Sequence, residues 1–100
     1  MTFRYTYSDF VLSKFGMVIL YVFEDRLSVF SPWKYDDGTI VQYDWYGRKS
    51  GDAVAQWHND IGPEFTVKYA TTGQKTIKLR VWDNNGESTT TEKTITVTWS

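Results

Sequence analysis

Residues 69–99 read YATTGQKTIKLRVWDNNGESTTTEKTITVTW, and this stretch decides the fold. Ile77, Leu79 and Val81 alternate with Lys78, Arg80 and Trp82. Successive side chains of a strand point to opposite sides of a sheet, so alternation with period two marks a strand with one buried and one wet face. Ile95, Val97 and Trp99 repeat the pattern against Thr94, Thr96 and Thr98. Between the two runs, Asn84-Asn85-Gly86 reads as a hairpin turn, because Asn-Gly accepts the positive φ that tight hairpins need. Upstream, Ala70-Thr71-Thr72-Gly73 turns the chain.

The same signal spreads outward. Phe65, Val67 and Tyr69 alternate, and Val41, Tyr43 and Trp45 share one face opposite Gln42, Asp44 and Tyr46. Phe3, Tyr5 and Tyr7 alternate with Thr2, Arg4 and Thr6. Residues 17–23 form a continuous apolar run, and Leu27 and Val29 resume alternation after Glu24-Asp25-Arg26. Asp36-Asp37-Gly38 is a strong turn signal. Periodicity fails from Gly47 to Pro63, which reads as a long loop with a helical turn around Ala53 to Trp57. About seven short strands, turns between them and no convincing helix predict an all-β, immunoglobulin-like β-sandwich of two antiparallel sheets. At 100 residues, the chain 1–100 reads as a single domain.

Composition narrows the function. A net charge of −1 with acids and bases interspersed leaves no electrostatic footprint for nucleic acid. The absence of cysteine removes a disulfide framework and thiolate chemistry. Residues 15–23, FGMVILYVF, are too short for a membrane span, which takes about 20 residues. Asp9 stands where a signal peptide would be basic, and Glu24, Asp25 and Arg26 replace its small-residue cleavage site. The segment therefore reads as a buried or interface strand, with no signal peptide evident.

From Tyr35 to Thr98 the chain resembles the PKD family, the immunoglobulin-like module named after polycystic kidney disease. Asp36-Asp37-Gly38-Thr39-Ile40 looks like that family's Asp-Gly-Thr-Ile turn, and Tyr43-Asp44-Trp45 matches its Tyr-x-Trp, whose Trp plugs the core. Tyr69 to Gly73, then Ile77, Leu79, Val81, Asp83 and Gly86, is similar to its Tyr-x-x-x-Gly and Val-x-Leu-x-Val-x-Asp-x-x-Gly ending. Trp45 is followed by Tyr46-Gly47-Arg48-Lys49-Ser50-Gly51 in place of the family's Asp-Phe-Gly-Asp-Gly, and the N-terminal third reads as divergent or remodelled. The resemblance implies a non-catalytic accessory or spacer module, extracellular or on the cell surface as part of a larger protein.

Candidate chemistry is sparse. A nucleophilic triad would have to use His58, the only histidine, with Ser50 and Asp52 or Asp60. All of these share one polar loop, and Ser50 lies outside a Gly-x-Ser-x-Gly elbow, so the chain does not read as an enzyme. No cofactor is required. Calcium wants several hard oxygens from a loop, and Asp36 and Asp37 supply two carboxylates beside a turn where some PKD relatives bind it. Asp83-Asn84-Asn85-Gly86-Glu87 is a second oxygen-rich turn, read as plain turn chemistry.

The aromatics carry the functional reading. Trp45, Trp99, Tyr43 and Tyr69 fall on core faces, whereas Trp33 and Trp57 sit in loops and Trp82 lies on an outer face beside Lys78 and Arg80. Exposed Trp rings suit stacking on sugars or anchoring a protein, so Trp33, Trp57 and Trp82 are the candidate ligand residues, with polysaccharide or a protein surface as partner. The apolar run gives the alternative, a homodimer through Met17, Ile19, Tyr21 and Phe23. Otherwise the 47–63 loop covers that strand.

Overall fold

The computed structural model describes residues 3–7, 18–23, 26–31 and 40–99. The expected sandwich is present, with eight described strands and no helix among these residues. Strands β1 (Phe3–Tyr7), β4 (Ile40–Gly47), β5 (Gln56–His58), β7 (Gly73–Asp83) and β8 (Ser88–Trp99) form a five-stranded sheet in the order β1-β8-β7-β4-β5. Strands β2 (Val18–Phe23), β3 (Arg26–Phe30) and β6 (Glu64–Lys68) form a three-stranded sheet in the order β2-β3-β6. Every pairing is antiparallel.

The core fills the space between the sheets. Ile77, Leu79 and Val81 of β7 and Ile95 and Val97 of β8 meet Leu27 and Val29 of β3 and Phe65 and Val67 of β6. Trp45 is fully buried at the centre, stacked on Phe65 with ring centroids 5.7 Å apart and planes 12° apart. Its indole Nε1 donates to the Gly62 carbonyl at 2.8 Å, so the ring's one polar atom is satisfied inside the protein. Tyr5 of β1 is buried beside Tyr69, their centroids 6.4 Å apart. On β3, Ser28 is buried too, and its hydroxyl shares a hydrogen bond of 2.8 Å with Thr66 directly across on β6.

Gly47 sits where the two sheets approach. A methyl group on its Cα would lie 3.0 Å from Val67 Cγ1 and 3.1 Å from Phe65 Cε2, both buried core side chains. Gly47→Ala is therefore an overpacking substitution, expected to cost about 1–3 kcal/mol in chemical denaturation. A loss below about 0.5 kcal/mol would show that the sheets separate there without strain.

Several expectations need correction. Val41 does not share the inward face of Tyr43 and Trp45. The β4–β7 register shifts between Ile40 and Gln42, and this bulge turns Val41 out to 57% exposure. Around Ala53 to Trp57 there is no helical turn, and Trp57 lies in the edge strand β5 instead of a loop. Three residues are too few for alternation to show. The hairpin from β7 to β8 uses positive φ at Gly86 alone (φ 85°), not at Asn85. Trp82 pairs with Ser88, Asp83 N–H donates to the Glu87 carbonyl, and Gly86 N–H donates to the Asp83 carbonyl.

Asp83 holds this hairpin. Its Oδ1 accepts the N–H groups of Asn85 and Glu87, each at 2.9 Å. Asp83→Ala leaves both donors without that acceptor and is expected to lower stability by about 1–3 kcal/mol. The check is thermal unfolding beside Asp83→Asn, whose side-chain oxygen restores most of the loss.

Candidate functional site

Register sets the outer face of the five-stranded sheet. Tyr46 pairs with Trp57 and Lys78, Asp44 with Arg80, and Gln42 with Trp82. Partners directly across a sheet share a face, and the intervening Trp45, Leu79 and Val81 are in the core. These seven outward residues therefore form one surface.

Asp44 is its hub, only 1% exposed although it points away from the core. Oδ1 accepts from Gln42 Nε2 at 2.7 Å and from Asp60 N–H at 2.9 Å. Oδ2 accepts from Trp82 Nε1 at 2.8 Å and from Arg80 Nε at 3.2 Å. Desolvation opposes ionisation of this carboxyl, but the four donors outweigh it and hold the Asp44 pKa below the usual value. Asp60 reaches the hub with φ at 57°, a left-handed conformation that Asp tolerates better than most residues.

Arg80 lies between two indoles. Its guanidinium carbon is 4.4 Å from the Trp57 ring centroid and 5.6 Å from that of Trp82, both within cation–π range. Trp57 also meets Tyr46 edge to face at 5.6 Å, and Lys78 Nζ stands 5.3 Å over the Tyr46 ring. The order across the surface is Lys78, Tyr46, Trp57, Arg80, Trp82.

Of the three candidate Trp residues, the structure brings Trp57 and Trp82 together here, both half-buried. Trp33, Asp36 and Asp37 lie outside the described residues, as does Met17. Trp99 closes β8. Ile19, Tyr21 and Phe23 belong to β2, the edge strand of the small sheet, where Val22 is exposed. In the 47–63 segment, Ile61 N–H donates to the Tyr43 carbonyl and the Pro63 carbonyl accepts Ser31 N–H. Asp44 and Arg80 were missed as site residues, although both occupy outward positions of strands legible from alternation. Only the register puts the two charges opposite each other.

His58 and Asp52 do meet, Nε2 to Oδ2 at 2.7 Å. The carboxylate also accepts Lys49 N–H at 3.0 Å, and that bond, with the His58 contact, holds its pKa below the usual value against partial desolvation. The imidazole packs against Phe65 at 5.5 Å, so the pair ties the 48–55 loop to β5 and the core. Ser50 is exposed in the turn of that loop. Among the described residues, no three of His, Cys, Asp or Glu gather as a metal site. No helix among them is long and apolar enough to cross a membrane.

A cavity of about 240 Å³ opens at one end of the sandwich, lined by Arg48, Ala53, Val54, Tyr69, Thr71 and Lys75 among others. Arg48 donates to the Lys68 carbonyl, and Lys75 Nζ donates to Thr71 at 2.7 Å. The Tyr69 hydroxyl is buried with no hydrogen-bond partner among the described residues, and desolvation pushes its pKa well above the usual phenol value.

The chain matches the family model of the PKD domain over residues 21–97, from the end of β2 into β8. The match begins earlier than the resemblance read from sequence and takes in β3, whereas β1 lies outside it. Among solved structures, it is similar to the PKD1 domain of Vibrio anguillarum Epp, with 25% sequence identity and a TM-score of 0.61. That likeness covers 81% of this chain and 92% of the other. No curated protein sequence matches it. With a family model spanning most of its length and the same sandwich in its fold, this chain belongs to the PKD domain family.

Proposed function

We propose that this PKD domain is a non-catalytic accessory module that binds polysaccharide or a protein surface through the outer face of its larger sheet. PKD domains are β-sandwich spacer and interaction modules, generally without catalytic activity. The observation that carries the reading is the meeting of Trp57 and Trp82 around Arg80 on one sheet face. Half-buried aromatics held by neighbours offer apolar area at little entropic cost, as binding hot spots do. The module works outside the cell or at its surface, as part of a larger protein.

Trp57→Ala tests this. The ring sits on a three-residue edge strand, so its loss should leave the fold standing. Binding to the preferred polymer, read by Trp fluorescence and by co-sedimentation, is expected to weaken by about 10-fold or more. Unchanged binding in both Trp57→Ala and Trp82→Phe would remove this face from consideration.

A second reading rests on β2. Among the described residues it pairs with β3 alone, with Val22 exposed, and an apolar edge strand invites a second copy. Light scattering separates the two: a mass near 11.7 kDa leaves the module monomeric, and a doubled mass makes β2 an interface.

A further inference from the structure

Trp57 and Trp82 flank the Arg80 guanidinium, and buried Asp44 takes its Nε. Among the described residues, Nε is its only nitrogen with a hydrogen-bond partner. The two terminal nitrogens are therefore uncommitted, on a side chain that is 32% exposed. A guanidinium in this state presents two parallel N–H donors on one edge, the geometry that a carboxylate accepts bidentately. Because three neighbours already fix the plane, little side-chain entropy remains to be lost on binding.

Charge alone does not make this a carboxylate site. Asp44 balances Arg80, and Glu92 stands opposite Lys78 in the register with β8. Recognition has to come from the shape of the fork and from the rings beside it. A ligand that fits both needs a carboxylate attached to a rigid body with an apolar flank. Uronic-acid sugars have this chemistry, since the carboxylate sits on the ring whose C–H face stacks on indole.

We propose that the Trp57–Arg80–Trp82 surface selects uronic-acid polysaccharides, with the Arg80 fork on the sugar carboxylate and the indoles against the ring. This rests on the outer face being the binding surface. The test is a fluorescence titration of the whole chain with polygalacturonate, its fully methyl-esterified form, poly-glutamate and neutral dextran. Polygalacturonate is expected to bind, and esterification to weaken it by about 10-fold or more, as loss of a charge-assisted pair does. Arg80→Lys keeps a cation for Asp44 but loses the fork, so it should bind acid and ester alike.

The arms separate the two claims. Equal binding of acid and ester by the unmodified chain overturns the carboxylate assignment and leaves the aromatic face standing. Poly-glutamate binding as tightly as polygalacturonate overturns the sugar. Binding of none of the four polymers overturns the inference, while the aromatic face is judged separately by its Trp57→Ala test on other polymers and proteins. Since the ester comparison needs no variant, it decides the matter even if Arg80→Lys does not fold.

Discussion

Asp44→Ala is expected to lower the unfolding free energy by about 3–5 kcal/mol, since a buried donor left without its acceptor costs about 1–3 kcal/mol and the partly exposed ones recover water. Four donors lose their acceptor at once: Gln42 Nε2, Asp60 N–H, Arg80 Nε and Trp82 Nε1. Arg80 also loses its counter-charge while it stays between two indoles. Urea unfolding gives the number. A loss below about 1 kcal/mol would show that the outer face is held by its rings and not by its carboxylate. Acid should act like the mutation. Asp44 and Asp52 both have folded pKa values below their unfolded ones, so their stabilisation is fully present above about pH 4. It is lost as pH falls through the folded values. In Asp44→Ala the acid limb of the stability curve should flatten.

Trp45→Ala should cost about as much, 3–5 kcal/mol on the usual scale for emptying an aromatic site. The ring is fully buried, stacks on Phe65 and bonds to Gly62, so its removal opens a cavity at the point where both sheets meet. Trp45→Phe separates the two contributions. It keeps an aromatic ring against Phe65 but leaves the Gly62 carbonyl without the indole donor, at about 1–3 kcal/mol. If Trp45→Phe loses as much as Trp45→Ala, the hydrogen bond and not the packing is what the core needs from this residue.

These two neighbours on β4 show what the sequence could and could not disclose. Trp45 was legible as core from alternation, because burial on one side of a strand leaves a period-two trace. Asp44 was legible as outward, but outward polar residues are ordinarily solvated. Nothing local distinguishes one capped by four donors from one in water, since three of those donors lie 16 to 38 positions away. The same limit hid Arg80. Trp57 was found by residue type and misplaced, because a three-residue strand has no periodicity and forms only when β4 offers its edge. Val41 failed for another reason: a bulge adds one residue and inverts every face assignment beyond it. The hairpin was found, since Asp83 and Gly86 write its geometry into neighbouring positions.

The antiparallel pairing of β1 with the end of β8 sets an order of events during folding. Phe3 pairs with Trp99 and Tyr7 with Ile95 in the backbone register, so the first described strand is joined to the last. A contact between such distant positions closes nearly the whole chain into a loop, whereas β7 and β8 meet across one tight turn. During synthesis Phe3–Tyr7 precedes residues 95–99, its partners in the register, by more than eighty positions. The five-stranded sheet is therefore expected to close from the β7–β8 hairpin outward, with β1 joining late.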